Sequence, residues 1–165
     1  MSQGSVLIVD DDRALLQALP EALRLRLGEV TVETADCAAG ALDRIAVRDY
    51  DAIVTDIKMP GMDGLELLAE IRTRRPDTPT LMITAYGEND LVVGALRGGA
   101  CDFIQKPVDR DYLIAALQRA METREASRRV RDGSLRWSAT SANWRPSSTS
   151  VRANGGRRTR CARAR

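Results

Sequence analysis

Asp10-Asp11-Asp12, Asp56, Thr84 and Lys106 are the residues of this 165-residue chain whose types and spacing could do chemistry together. Each stands at the carboxyl end of a short apolar run. Two carboxylates within ~4 Å of one another repel by roughly 4 kcal/mol at an effective dielectric near 20, so a purely structural cluster avoids that arrangement. A hard cation removes the problem. An oxygen-only donor set without His or Cys selects Mg²⁺ or a similar ion, which keeps several waters and needs only one or two carboxylates plus phosphate oxygens. A lysine ammonium and a threonine hydroxyl aimed at the same point then serve as donors to the oxygens of a transferred phosphoryl group. The carboxylate left over is a nucleophile able to form an acyl phosphate. Taken one at a time, each residue has an ordinary reading: the acidic run as a helix cap, the Lys-Pro as a loop, the Thr as a turn hydroxyl. Their conjunction is the signal.

Elements that could bring them together are visible in the hydrophobic pattern. Val6-Leu7-Ile8-Val9, Ala52-Ile53-Val54 and Thr80-Leu81-Met82-Ile83 are apolar runs without alternation, as in strands covered on both faces of a parallel sheet. Val30 to Thr34 alternates and suits a sheet edge, and Cys101 to Gln105 predicts a fifth strand. Helical periods fall between them: Leu15, Leu16, Leu19 and Leu23; Ala38, Ala41, Leu42 and Ile45; Leu65, Leu68 and Ala69; Leu91 and Ala95; Leu113, Leu117, Ala120 and Met121. Asp63 with Glu66 has capping-box spacing, Asp109 is an N-cap with Val108 and Leu113 as a hydrophobic staple, and Gly98-Gly99 marks a helix stop. Pro20 conflicts with the first helix and predicts a kink or a shifted start. Strict alternation implies a doubly wound, five-stranded parallel sheet of order 2-1-3-4-5 with five helices, and ligands bind at the carboxyl ends of such strands.

Composition narrows the classes. The chain contains no histidine, which excludes a Ser-His-Asp triad, a His-ligated metal and an internal phosphohistidine. Cys37, Cys101 and Cys161 form no CxxC pair, so neither a zinc site nor a disulfide framework is indicated, and a reducing cytoplasm fits. No segment has the length of a membrane span. All acids lie at or before Asp132, giving residues 1–132 a charge of −6 and residues 133–165 a charge of +8. The expected organisation is a domain over 1–122, a helical extension or linker over 123–132, and a basic low-complexity tail over 133–165 that cannot bury a core and stays disordered.

Four segments, Val9-Asp10-Asp11-Asp12, Val54-Thr55-Asp56-Ile57-Lys58-Met59-Pro60-Gly61-Met62-Asp63-Gly64, Ile83-Thr84-Ala85 and Asp102-Phe103-Ile104-Gln105-Lys106-Pro107, resemble in order and spacing the receiver domain of two-component response regulators. The wording is similar to receivers joined to transcription-activating ATPases. The resemblance implies a flavodoxin-like fold, with Asp56 as phospho-acceptor and Asp10, Asp11, Asp56 and the backbone carbonyl of Lys58 as Mg²⁺ ligands. It implies that Thr84 and Lys106 bind the attached phosphoryl, that Pro107 follows a cis peptide, and that Phe103 is the aromatic that moves inward when Thr84 is drawn to the phosphoryl. The implied partners are a sensor histidine kinase or phosphotransfer protein, and a second copy through helix 4, strand 5 and helix 5. Nucleic acid and membrane are not expected as partners, and catalysis is limited to the domain's own phosphorylation and dephosphorylation.

Two rival readings come from other classes. Asp10 and Asp12 form a D-x-D after the first strand, similar to phosphohydrolases of the haloacid dehalogenase type. That reading leaves Asp56 and Lys106 unexplained and finds Ala14 where the family has Thr or Val. The eight arginines of the tail, with Trp137 and Trp144, could instead contact nucleic acid.

Overall fold

A computed structural model describes residues 4–141, with side chains through residue 133. Five strands alternate with five helices: β1 Gly4–Val9, α1 Arg13–Leu27, β2 Val30–Ala35, α2 Ala38–Val47, β3 Ala52–Asp56, α3 Gly64–Arg74, β4 Thr80–Thr84, α4 Asn89–Arg97, β5 Asp102–Gln105 and α5 Arg110–Ser141. All strand pairs are parallel, in the order β2-β1-β3-β4-β5, as the patterning predicts.

The unbroken apolar runs have a direct cause. Successive side chains of a strand point to opposite faces, and here both faces are covered. Val6 and Ile8 join Val54, Leu81 and Ile83 against Leu19 and Leu23 of α1 and Leu113 and Leu117 of α5. Leu7 and Val9 point the other way, with Ile53, against Ile45 of α2 and Leu67 and Ile71 of α3. Met82 extends that second face toward α4 through Leu68 and Ala95. Each such fully buried apolar side chain contributes about 1.5–3 kcal/mol, which is why apolar residues dominate the interiors of the three central strands.

Local signals set the helix starts. The Asp12 carboxylate accepts from the Ala14 and Leu15 amides, which fixes the start of α1 at Arg13. The helix then continues through Pro20, so the start is not shifted; burial of Leu19 and Leu23 on either side outweighs the one missing N–H. Asp63 and Glu66 form the full capping box at α3. Asp109 accepts from the Asp111 and Tyr112 amides at α5, while Val108 and Leu113 share one apolar cluster. Gly98 ends α4, followed by Gly99 at φ 98°.

Helix α5 departs from expectation at its far end. It runs without a break to Ser141, past the point where a tail without structure was expected to begin. The remaining tail, including Trp144 and most of its arginines, lies outside the described residues. The chain divides into a unit of residues 1–131 and a unit of residues 132–165. Residues 123–131 therefore belong with the sheet. The Arg124 guanidinium, buried at 7% exposure, donates to the Tyr50 carbonyl, to Asp51 at 2.9 Å and to Asp49 at 2.7 Å, and Arg131 grips Asp77 through two 2.8 Å contacts. Among the described residues no helix is long and apolar enough to cross a membrane.

The Arg124 clamp is testable. Removing one partner of a fully buried pair costs about 3–5 kcal/mol. Because Asp49 and Asp51 are partly exposed, Arg124→Met is expected to cost less, about 2 kcal/mol, read from the urea unfolding midpoint.

Candidate functional site

The strand order sets the site. Placing β3 between β1 and β4 brings the carboxyl ends of β1, β3 and β4 side by side, and Lys106 follows β5 with its amide donating to the Thr84 carbonyl at 2.8 Å. Asp10, immediately after β1, is fully buried; its amide donates to the Ala35 carbonyl at 3.1 Å and its Oδ1 accepts from the Asp12 amide at 2.9 Å. Its other oxygen, Oδ2, is buried with no hydrogen-bond partner. Asp56 ends β3 at 5% exposure, and Asp11 is exposed at the mouth. Carboxylate oxygens of Asp10, Asp11 and Asp56 all lie within 4.8 Å of one another. The Lys106 ammonium donates to Asp56 Oδ2 at 3.2 Å and stands 3.6 Å from Asp10 Oδ2.

Three carboxylates thus face one ammonium, and the titration of Asp10, Asp56 and Lys106 reflects it. Burial pushes Asp10 up to about 6, the Asp12 amide opposing it and the Asp56 charge adding to it. Burial also raises Asp56, with Lys106 pulling it back and Asp11 adding to the rise. For Lys106 burial acts downward, but Asp10 and Asp56 together outweigh it and hold the ammonium above its usual range. A buried carboxylate oxygen with no hydrogen bond and only a 3.6 Å ion pair, in an oxygen-only donor set, suits a hard divalent cation.

A backbone approach shapes the acceptor. The Gly64 amide donates to the Ile57 carbonyl at 2.6 Å, and a Cβ on Gly64 would fall 2.1 Å from the Asp56 carbonyl oxygen. Glycine is required there by close contact between the start of α3 and the end of β3. The Lys106-Pro107 peptide is cis.

A family model, the response regulator receiver domain, matches residues 6–118. The chain belongs to the response regulator receiver family. Relatives of this receiver include the C4-dicarboxylate transport transcriptional regulatory protein DctD of Pseudomonas aeruginosa, 42% identical over 124 residues that make up 74% of this chain and 26% of that protein. The DNA-binding transcriptional regulator NtrC of Escherichia coli is 36% identical over 135 residues, 82% of this chain and 28% of the relative. The receiver therefore spans about a quarter of the length of these curated relatives. Among solved structures, a CheY-like receiver domain protein from Methanospirillum hungatei superposes with a TM-score of 0.72 at 32% identity, covering 76% of this chain and 99% of that one. NtrX from Brucella abortus gives 0.72 at 35%, covering 79% and 30%.

The receiver assembles Asp10, Asp11, Asp56 and Lys106 as one cluster. Asp12 is outside it, committed to capping α1, so the D-x-D phosphohydrolase reading is not favoured. Thr84 is buried beside the crevice, but its hydroxyl donates to Glu88 Oε2 at 3.1 Å. Phe103 lies on edge strand β5, 37% exposed. The Lys58 side chain is ion-paired with Glu88. Glu88 is the site residue that sequence reasoning missed: an acid opening a helix reads as an ordinary cap.

Two outcomes follow from this geometry. Asp10 has a folded-state pKa above its unfolded value, so its ionised form costs stability at neutral pH and that cost disappears as pH falls through about 6 toward 3.8. Asp10→Asn is therefore expected to stabilise the metal-free protein at pH 7.5 by up to about 3 kcal/mol, at about 1.4 per pKa unit, read as a higher melting temperature, with the gap to wild type closing below pH 5. Gly64→Ala is expected to lower stability by about 2 kcal/mol in urea unfolding through overpacking against the Asp56 backbone.

Proposed function

We propose that this receiver is a phosphorylation-driven signalling switch in which Asp56 accepts a phosphoryl group from the phosphohistidine of a partner kinase or phosphotransfer protein. The observation that carries the reading is the Lys106 ammonium 3.2 Å from the Asp56 carboxylate, beside a buried Asp10 oxygen that has no hydrogen-bond partner. These 165 residues contain no histidine, so the phosphohistidine of the proposed donor lies outside them.

In the proposed transfer an Asp56 oxygen attacks phosphorus in line as the bond to the donor imidazole breaks, leaving that ring neutral. Lys106 offsets negative charge on the phosphoryl oxygens, and Thr84 donates its hydroxyl to one of them. Asp10, Asp11, Asp56 and the Lys58 carbonyl would hold Mg²⁺, which supplies further positive charge to the phosphoryl oxygens when bound. Hydrolysis of the acyl phosphate later resets the switch. Movement of Thr84 and Phe103 would bias the face made by α4, β5 and α5 between two arrangements, and we assign to that face the reading of the signal by partners or by a second copy. The exposed Val93, Leu96, Phe103 and Tyr112 support that assignment.

We further assign residues 1–131 to the switch and place the protein in the cytoplasm. NtrC relatives are named DNA-binding regulators as whole proteins, so the expectation that nucleic acid is not a partner has no support from them. Output through transcription is part of the proposal.

The test is intact-mass analysis after incubation with acetyl phosphate and Mg²⁺. Wild type is expected to gain one phosphoryl group, lost on chelation of the metal before incubation and absent from Asp56→Asn. Labelling that persists in Asp56→Asn removes the reading.

A further inference from the structure

Glu88 makes contacts that its place in the chain does not call for. It stands at the N-cap of α4, yet makes no side-chain cap bond to that helix. Its carboxylate instead turns back over the crevice, 13% exposed. Oε2 accepts from the Thr84 hydroxyl at 3.1 Å, shorter than that hydroxyl's 3.4 Å alternative at the Ala85 carbonyl, and from the Ala85 amide at 3.3 Å, while Oε1 pairs with the Lys58 ammonium. One side chain thus ties together the loop after Asp56, the end of β4 and the start of α4.

A threonine hydroxyl carries one proton and makes one good donated bond at a time. We propose that Glu88 is a positioning residue, a latch that holds the Thr84 hydroxyl in the resting state and must release it before Thr84 can donate to a phosphoryl group on Asp56. The proposal rests on the assignment of Thr84 as a phosphoryl donor made above. Bonds to a charged acceptor are about twice as strong as neutral ones, so the resting arrangement is favoured by a definite margin and the phosphoryl dianion must outbid it. Lys58 belongs to the same exchange: two residues from Asp56, it can leave the Glu88 carboxylate for the new negative charge. A ligand shifts such an equilibrium only by its differential affinity for the two states, which makes the strength of the latch the quantity that sets how readily the switch turns on.

The experiment uses the full chain, beryllofluoride with Mg²⁺ as a stable stand-in for the phosphoryl group, and NMR of the metal-free protein. Removing the competitor in Glu88→Ala is expected to tighten beryllofluoride binding roughly tenfold, about 1.4 kcal/mol. In the Thr84→Val background, where no hydroxyl remains to be held, the same substitution is expected to change affinity less than twofold. Glu88→Gln retains an acceptor oxygen but loses the charge and is expected to gain about threefold; it carries the test should Glu88→Ala fail to fold. Without metal or beryllofluoride, the Thr84 and Ala85 resonances of the Glu88 variants should move toward their positions in beryllofluoride-bound wild type. Unchanged affinity and resonances in the Glu88 variants, or an equal gain in the Thr84→Val background, overturns the latch while Asp56 binding in wild type still stands. Wild type that ignores beryllofluoride, or binds it equally well as Asp56→Asn, overturns the reading of Asp56 and the latch with it.

Discussion

The constraint on which the rest depends is an unbalanced charge: three carboxylates converge where one ammonium answers them, and two of the three are out of water. Left alone, such a cluster costs stability, because burial disfavours the ionised form and like charges add to the penalty. The elevated titration of Asp10 and Asp56 is the measure of that cost. Lys106 recovers part of it through a direct hydrogen bond to Asp56, but Asp10 Oδ2 remains without a donor. A site held in this condition by a well-packed sheet has affinity in reserve for cations and for groups that bring positive charge with them.

What holds the carboxylates together against their repulsion is the sheet, not the site. Asp10 and Asp56 sit at the ends of strands whose interiors are fully buried on both faces, and β1 and β3 are paired along four residues. Separating the two carboxylates means shearing that pairing or withdrawing apolar side chains from two clusters. Gly64 adds a second restraint, since α3 begins so close to the Asp56 carbonyl that only a hydrogen fits between them. Strand β5 and helix α4 are held less firmly. Strand β5 has one buried residue of four, and α4 has only Ala95 buried. Rigidity is concentrated where charge must be confined, and the less buried elements lie where the proposed switch would transmit its change.

The same division explains what the sequence made legible. Strands buried on both faces leave an unmistakable trace of unbroken β-branched runs, and their strict alternation with helical periods determines the topology and thereby the convergence of Asp10, Asp11, Asp56 and Lys106. The capping box at Asp63 and the staple at α5 are local chemistry, readable over a few residues. Less was readable where a side chain has two chemically reasonable partners. Nothing in the spacing of Thr84 and Glu88 says whether the acid caps its own helix or turns back, and Lys58 reads as a solvated lysine until its partner is known. The length of α5 was obscured for another reason. Charge composition marks where acids stop, but the helix is anchored through residue 131 by Arg124, Arg128 and Arg131 pairing with aspartates that are distant in sequence.

The competition at Thr84 gives this arrangement its direction. A receiver whose threonine was already free would have little difference in energy between resting and modified forms, and phosphorylation would then change charge without changing shape. One whose threonine was held too tightly would accept phosphorus and fail to respond. A carboxylate acceptor lies between these limits: it is strong enough to define a resting state, yet it is opposed by a dianion and a lysine that can change sides. On the proposed reading, the charge imbalance at Asp10 and Asp56 and the bond from Thr84 to Glu88 are two halves of one device, the first drawing in the cation that offsets a phosphoryl group's charge and the second making that group's arrival matter elsewhere.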